Sequence, residues 1–114
     1  GGLQPVVKAC VNGRKCVTVK TGEEVHFSAD IEVPYEEDSV TEAAWDFEKT
    51  NDFSSGCELN RSGDSEIVNV RAEHKFEKPR TYLPVIKVKS CRKGYEKDIF
   101  VQCKNLDRVR VIVE

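Results

Sequence analysis

Apolar and polar residues alternate with a period of two along most of this chain, and no stretch repeats convincingly at the helical period. The clearest case runs from Val25 to Val33. Val25, Phe27, Ala29, Ile31 and Val33 share one face, and His26, Ser28, Asp30 and Glu32 share the other. One buried and one wet face is the pattern of an antiparallel sheet, and Pro34 ends the run. Two shorter strands, from about Val6 to Val11 and from Cys16 to Lys20, flank Asn12-Gly13, a strong hairpin signal. Thr21-Gly22 then turns the chain into the long strand.

Beyond Pro34 the acidic stretch Glu36-Glu37-Asp38 predicts a loop, and Val40 to Phe47 a strand with Thr41, Ala43, Trp45 and Phe47 pointing one way. The segment Glu48 to Asp64 is polar, with Gly56 and Gly63. It reads as a long loop, which in a compact domain is functional or mobile. Ser65 to Glu73 alternates again, with Ile67, Asn69 and Arg71 opposing Val68, Val70 and Ala72. A strand from Arg80 to Ser90 contains Pro84, which lacks the N–H of a central ladder, so a bulge or an edge must absorb it. A polar hairpin region from Cys91 to about Lys104 precedes a last strand, Leu106 to Val113, with Val109, Val111 and Val113 on one face. Seven to eight strands, with turn signals about every 8–12 residues, predict an all-β, immunoglobulin-like, two-sheet antiparallel β-sandwich.

Composition narrows the setting. The 114 residues fit one domain. Eighteen basic and 20 acidic residues leave a net charge of −2, which gives no electrostatic case for nucleic acid. No apolar run approaches the roughly 18 residues of a spanning helix, so no membrane insertion is expected. The chain contains no Met. We therefore expect a piece of a longer protein, with residues 1–5 a linker or cloning remnant and residues 6–114 the sandwich domain. Five cysteines favour an oxidising, extracytoplasmic compartment.

Two segments carry a family resemblance. Trp45-Asp46-Phe47 and the run containing His74, Phe76, Pro79, Tyr82, Ile86 and Val88 resemble the signature of the PKD (polycystic kidney disease) domain. Gly22 and Glu24-Val25-His26-Phe27 are similar to that family's turn and second strand. The Tyr82-Leu83-Pro84-Val85 variant and the Asn105 to Val111 ending are similar to PKD-like segments attached to bacterial α/β-hydrolase-type proteins. The family's Gly-Asp-Gly turn after the Trp strand is replaced here by Glu48-Lys49-Thr50-Asn51-Asp52, and the Gly after Pro79 by Arg80. The resemblance implies a sandwich and a non-catalytic role. Independently, the only Trp suits the buried aromatic of a third strand, and Tyr82 is placed to bond upstream backbone through its hydroxyl. Trp45, Phe27, Tyr82, Ile86 and Val88 are the expected core.

Candidate chemistry is sparse. A three-residue turn over Asn12–Arg14 would set Cys10 opposite Cys16 for a disulfide, whereas a two-residue Asn-Gly turn would spoil that register. Cys91 and Cys103 bracket the last hairpin and would staple it in the same way. Cys57 is then left over, as a free or interchain thiol. Asp46, Asp52 and Asp64 offer hard oxygens near the long loop for calcium, the one cofactor considered, but their spacing matches no calcium loop. Asp46 is better read as supporting the turn after the Trp strand. His26 and His74 fall on polar faces, and no nucleophile motif or His-Glu-x-x-His is present, so no catalytic residue is expected. Phe53, Tyr95, Tyr35 and Phe100 lie in loops or on surface and are the binding candidates. Asn60-Arg61-Ser62 is a glycosylation sequon.

The expected function is that of an accessory module of a secreted, periplasmic or cell-surface protein. It would act as spacer or protein-interaction domain beside a neighbouring domain of the same polypeptide. The alternative is a carbohydrate-binding module that uses the surface aromatics and the 48–64 loop on a glycan surface.

Overall fold

The computed structural model describes residues 4–53, 56–61, 67–98 and 101–114. Residues 1–3 of the expected linker, Asp64, Phe100, Ser62 of the sequon and the first residues of the strand expected from Ser65 lie outside the described residues. Ten strand segments and no α-helix occur among those described: β1 (Val6–Val11), β2 (Cys16–Val19), β3 (Glu24–Glu32), β4 (Asp38–Asp46), β5 (Asn60–Arg61), β6 (Ile67–Lys75), β7 (Arg80–Tyr82), β8 (Val85–Arg92), β9 (Cys103–Arg108) and β10 (Arg110–Val113).

One layer has the order β1-β3-β6-β5. The other is built from β2-β10-β7 and β4-β8-β9. These two groups are continuous, because β7 runs into β8 and β9 into β10. The interruption falls where Pro84 stands opposite Val109. Pro84 has no N–H to give, but its carbonyl accepts from the Val109 N–H at 3.1 Å. A local break in both strands thus absorbs the proline, and eight strand paths remain. Their partition matches the two sheets of an immunoglobulin-like sandwich, with β2 added at one edge.

The start of the chain departs from the simple hairpin. Asn12 and Gly13 take φ values of 46° and 77°, the two-residue primed turn that Asn-Gly favours. It closes with Val11 and Arg14 exchanging hydrogen bonds of 2.6 and 2.8 Å. Pairing then stops. β2 leaves β1 and joins the other layer, parallel to β10, with Val17 and Val19 beside Val111 and Val113. One strand pair of the sandwich is therefore parallel. The hairpin tip is held against β3 by Asn12 Oδ1, which accepts from the His26 N–H at 2.9 Å.

The core lies between the layers. Phe27, Ile31, Val70, Phe76, Ile86, Val88 and Val111 are fully buried, and Trp45 and Tyr82 nearly so. Along β4 a bulge between Val40 and Glu42 changes the expected face. Val40 and Ala43 are both buried, and Thr41 instead donates its hydroxyl to the Lys89 carbonyl at 3.3 Å. The open edge of β4 is covered by chain from the long loop. The Cys57 N–H donates to Ala43 O at 2.7 Å, and the Arg61 guanidinium to Val40 O at 2.7 Å. Covering an edge in this way blocks pairing with other chains. β5, only two polar residues long, gave no alternation to detect.

A polar seam closes the side where β1 meets β9. Asp107 Oδ2 accepts from the Ala9 N–H at 2.8 Å and from Lys15 Nζ at 2.7 Å. Lys15 also donates to Ala9 O at 2.8 Å, and Asn105 Nδ2 to Pro5 O at 2.8 Å. Partial burial alone would raise the Asp107 pKa. The Lys15 ammonium and the Ala9 and Arg108 N–H groups outweigh it and hold the carboxyl below its usual value. A depressed folded-state pKa stabilises the fold above the unfolded value, near pH 4, and that contribution is lost as pH falls through the folded value. Urea midpoints measured from pH 6 to pH 2 are therefore expected to fall less steeply in Asp107→Asn than in the parent chain.

Candidate functional site

Six aromatic side chains, on or just after β3, β4, β6 and β7, make one connected group. Phe27 is its hub, with ring centroids 5.1 Å from Trp45, 4.8 Å from Phe47 and 6.4 Å from Phe76. Phe47 lies parallel to Trp45 at 5.9 Å and parallel to the His74 imidazole at 4.4 Å. His74 meets Phe76 edge-on at 4.7 Å, and Phe76 meets Tyr82 at 4.4 Å. The two segments that carry the family resemblance thus touch each other through Phe47 and His74. His74 is not on the polar face. Alternation from Val68, Val70 and Ala72 carries it inward, where it is half-buried at the end of the sandwich.

Tyr82 donates its hydroxyl to the Lys78 carbonyl at 2.8 Å, four residues upstream. This is the corner that the position of the tyrosine predicted. Tyr82→Phe keeps the ring packing and removes only that bond. It is expected to lower stability by about 1 kcal/mol in urea denaturation.

Asp46 organises the turn that follows the Trp strand. Its Oδ1 accepts from the Thr50 N–H at 3.1 Å and the Thr50 hydroxyl at 3.4 Å, and its Oδ2 from the Asn51 N–H at 2.9 Å. Lys49 and Asn51 stand at φ 56° and 62°, the left-handed region that glycine normally fills. The turn keeps its left-handed residues without glycine, and the Asp46 carboxylate holds them there. Three hydrogen bonds directed at its carboxylate make Asp46 the structural acceptor of this turn. Among the described residues, Glu24, His26 and Glu73 are the one group whose ligand atoms lie within 4.8 Å of one another, and all three are exposed. The two His26 nitrogens face Glu24 at 3.7 Å and Glu73 at 3.5 Å, an exposed cluster whose mutual attraction solvent screens.

A cleft of about 490 Å³ opens between residues 46–52 with 56–58 on one side and β6 on the other. Glu48, Cys57, Glu58, Arg71 and His74 line it, over a floor that includes Trp45. The Trp45 indole N–H is buried with no acceptor among the described residues. His74 Nε2 lies 2.7 Å from Glu48 Oε2. A thiol, an imidazole and a carboxylate around one cleft invite a comparison with thiol nucleophiles, and the electrostatics argue against it. Burial pushes the Cys57 thiol pKa up. Nucleophilic cysteines need the opposite shift.

The cysteine pairs do not form. All five cysteines are thiols. The two-residue turn bridges Val11 to Arg14, so Cys10 is out of register with Cys16, which has moved to the other layer. On the last hairpin Cys103 stands opposite Ser90, one residue from Cys91. A one-residue offset sends side chains to opposite faces of a sheet. Burial raises the Cys91 pKa as well, with help from Glu96, Asp38 and Cys103. Brief iodoacetamide treatment of the native chain is expected to label exposed Cys16 well ahead of Cys57 and Cys91, read by peptide mass spectrometry.

Among the described residues, the binding candidates Phe53, Tyr35 and Tyr95 do not converge on one surface. Phe53 is half-buried on the outer face of the β4-β8-β9 sheet, with Lys87 Nζ 4.4 Å from its ring centroid. Tyr35 and Tyr95 are exposed on loops at the other end, which are tied together by the Lys93 N–H donating to Glu37 O at 2.8 Å. No family model matches this chain, and no curated protein matches it.

Proposed function

We propose that this chain is a PKD-type module that serves a larger extracytoplasmic protein without catalysing a reaction. It acts as a stiff spacer and a protein-interaction domain. The observation that carries this reading is the joining of the two signature segments in one core. Trp45, Phe47, His74, Phe76 and Tyr82 touch in sequence, with Asp46 and Tyr82 fixing the turns on either side. A residue set that covers one contiguous structural unit is what a shared fold selects for, whereas a catalytic set would surround a reactive group. Burial disfavours the thiolate of the one thiol in the cleft, which supports this reading. The extracytoplasmic setting rests on the family resemblance, because the strand register keeps both cysteine pairs apart.

Scattered aromatics also speak against a sugar platform, which needs several rings on one surface. Incubation with insoluble cellulose, chitin and starch is expected to leave the protein in the supernatant. Retention on any of them, lost in Phe53→Ala or Tyr95→Ala, would remove the accessory reading in favour of carbohydrate binding.

A further inference from the structure

The two outer faces of the sandwich differ in charge. On the β1-β3-β6 face, Glu24, Asp30, Glu32 and Glu73 are mixed with Lys8, Arg71 and Lys75. On the opposite face the outward charged positions of β8, β9 and β10 are Lys87, Lys89, Lys104, Arg108 and Arg110. The outward acid next to them, Glu42 of β4, is paired with Lys89 at 3.3 Å. Lys104, Arg108 and Arg110 make no ion pair among the described residues. Lys89 and Lys104 stand directly opposite each other, an arrangement of like charges that destabilises a sheet.

These cations flank aliphatic side chains on the same face. Leu106 is opposite Lys87, and Val85 is opposite Arg108, so Leu106 and Val85 are diagonal neighbours. Leu83 follows two residues before Val85, and Ile112 is opposite Thr81. Leu106 is 45% exposed and Leu83 37%. An exposed aliphatic stripe rimmed by one sign of charge has the anatomy of a protein interface, with an apolar centre and a polar rim. A simple polyanion would use the cations and leave the stripe in water.

We infer that this face docks an acidic protein segment whose own aliphatic side chains cover Leu83, Val85 and Leu106. Its carboxylates pair with Lys104, Arg108 and Arg110. The inference rests on the reading of the chain as an interaction module and names the chemistry of its partner. Complementary charge gives such a contact speed and specificity, and makes it sensitive to salt.

The test is an NMR titration of the ¹⁵N-labelled chain with a synthetic peptide in which Glu and Leu alternate. A heparin oligosaccharide serves as the comparison. Saturable shifts are expected at Val85, Lys87, Leu106, Arg108 and Arg110, and they should weaken as salt rises. Charge reversal in Arg108→Glu/Arg110→Glu should lower peptide affinity about tenfold or more, and Leu106→Ser roughly fivefold. Both variants change exposed positions and should keep the native spectrum. Absence of saturable shifts at millimolar peptide would overturn the inference. Heparin binding to this face as tightly as the peptide, with Leu106→Ser indifferent, would overturn it in favour of a glycan site. Failure here leaves the non-catalytic reading standing, since that reading falls on turnover and not on binding.

Discussion

Phe27→Ala is expected to destabilise the domain by about 4 kcal/mol, at the upper end for deletion of a buried ring. Phe27 sits on β3 of one layer and meets Trp45 and Phe47 of the other, as well as Phe76 beyond β6. Truncation leaves a void that the three neighbouring rings cannot all close upon. A domain of this size has only about 5–15 kcal/mol in hand, so the variant should be close to unfolding at physiological temperature. Trp45 is the only Trp and lies next to the void, so its fluorescence reports directly. The urea midpoint should drop by about 2 M. Ile67→Ala, at an exposed position on β6, should change it little and serves as the control. A loss under about 1 kcal/mol for Phe27→Ala would mean that the aromatic group is not the centre of the core.

The second large effect is expected at Asp46. Asp46→Ala leaves the Thr50 and Asn51 N–H groups without their acceptor and releases two residues held at positive φ. Hydrogen bonds to a charged acceptor contribute more than neutral ones, so a loss of about 2–3 kcal/mol is expected. Asp46→Asn keeps one acceptor oxygen and should fall between the two. The location of the effect separates this account from a general loss of packing. Amide hydrogen exchange at Thr50 and Asn51 should accelerate far more than at Phe27 or Ile86. Uniform acceleration would contradict the turn-holding role.

Much of this architecture was legible because burial is written into alternation. β3 and most of β6 and β8 carry apolar residues on every second position, and a single buried face permits no other register. Trp45, Phe27, Tyr82, Ile86 and Val88 were readable as core for the same reason. Side-chain type misled at His74, where the period pointed inward and the polarity outward. The crossing of β2 to the other layer was hidden because Asn12-Gly13 dictates a tight turn but not how far pairing continues after it. Disulfides could not be judged without register, and a difference of one residue in each hairpin decided against both. The polar seam did leave a signal. Asn105 and Asp107 share the inward phase with Val109, and polar residues at inward positions need buried partners. The cationic face left one too, since Lys104, Leu106, Arg108, Arg110 and Ile112 share the outward phase of a single strand path.

The replacement of the Gly-Asp-Gly turn of the resembled signature also acquires a physical meaning. The stretch after Phe47 still needs left-handed backbone, and Lys49 and Asn51 supply it under the restraint of Asp46. Gly56, Cys57 and Arg61 then cover the edge of β4, and Glu48, Cys57 and Glu58 form one wall of the cleft. The Cys57–His74–Glu48 surroundings are where the non-catalytic claim is most exposed.

That claim is tested most directly by turnover. The purified chain, in reducing buffer, is incubated with fluorogenic peptide, ester and glycoside substrates, beside Cys57→Ser and His74→Ala. The account predicts rates equal to buffer for all three proteins. Turnover by the parent chain that disappears in both variants would contradict it and make the cleft an active site.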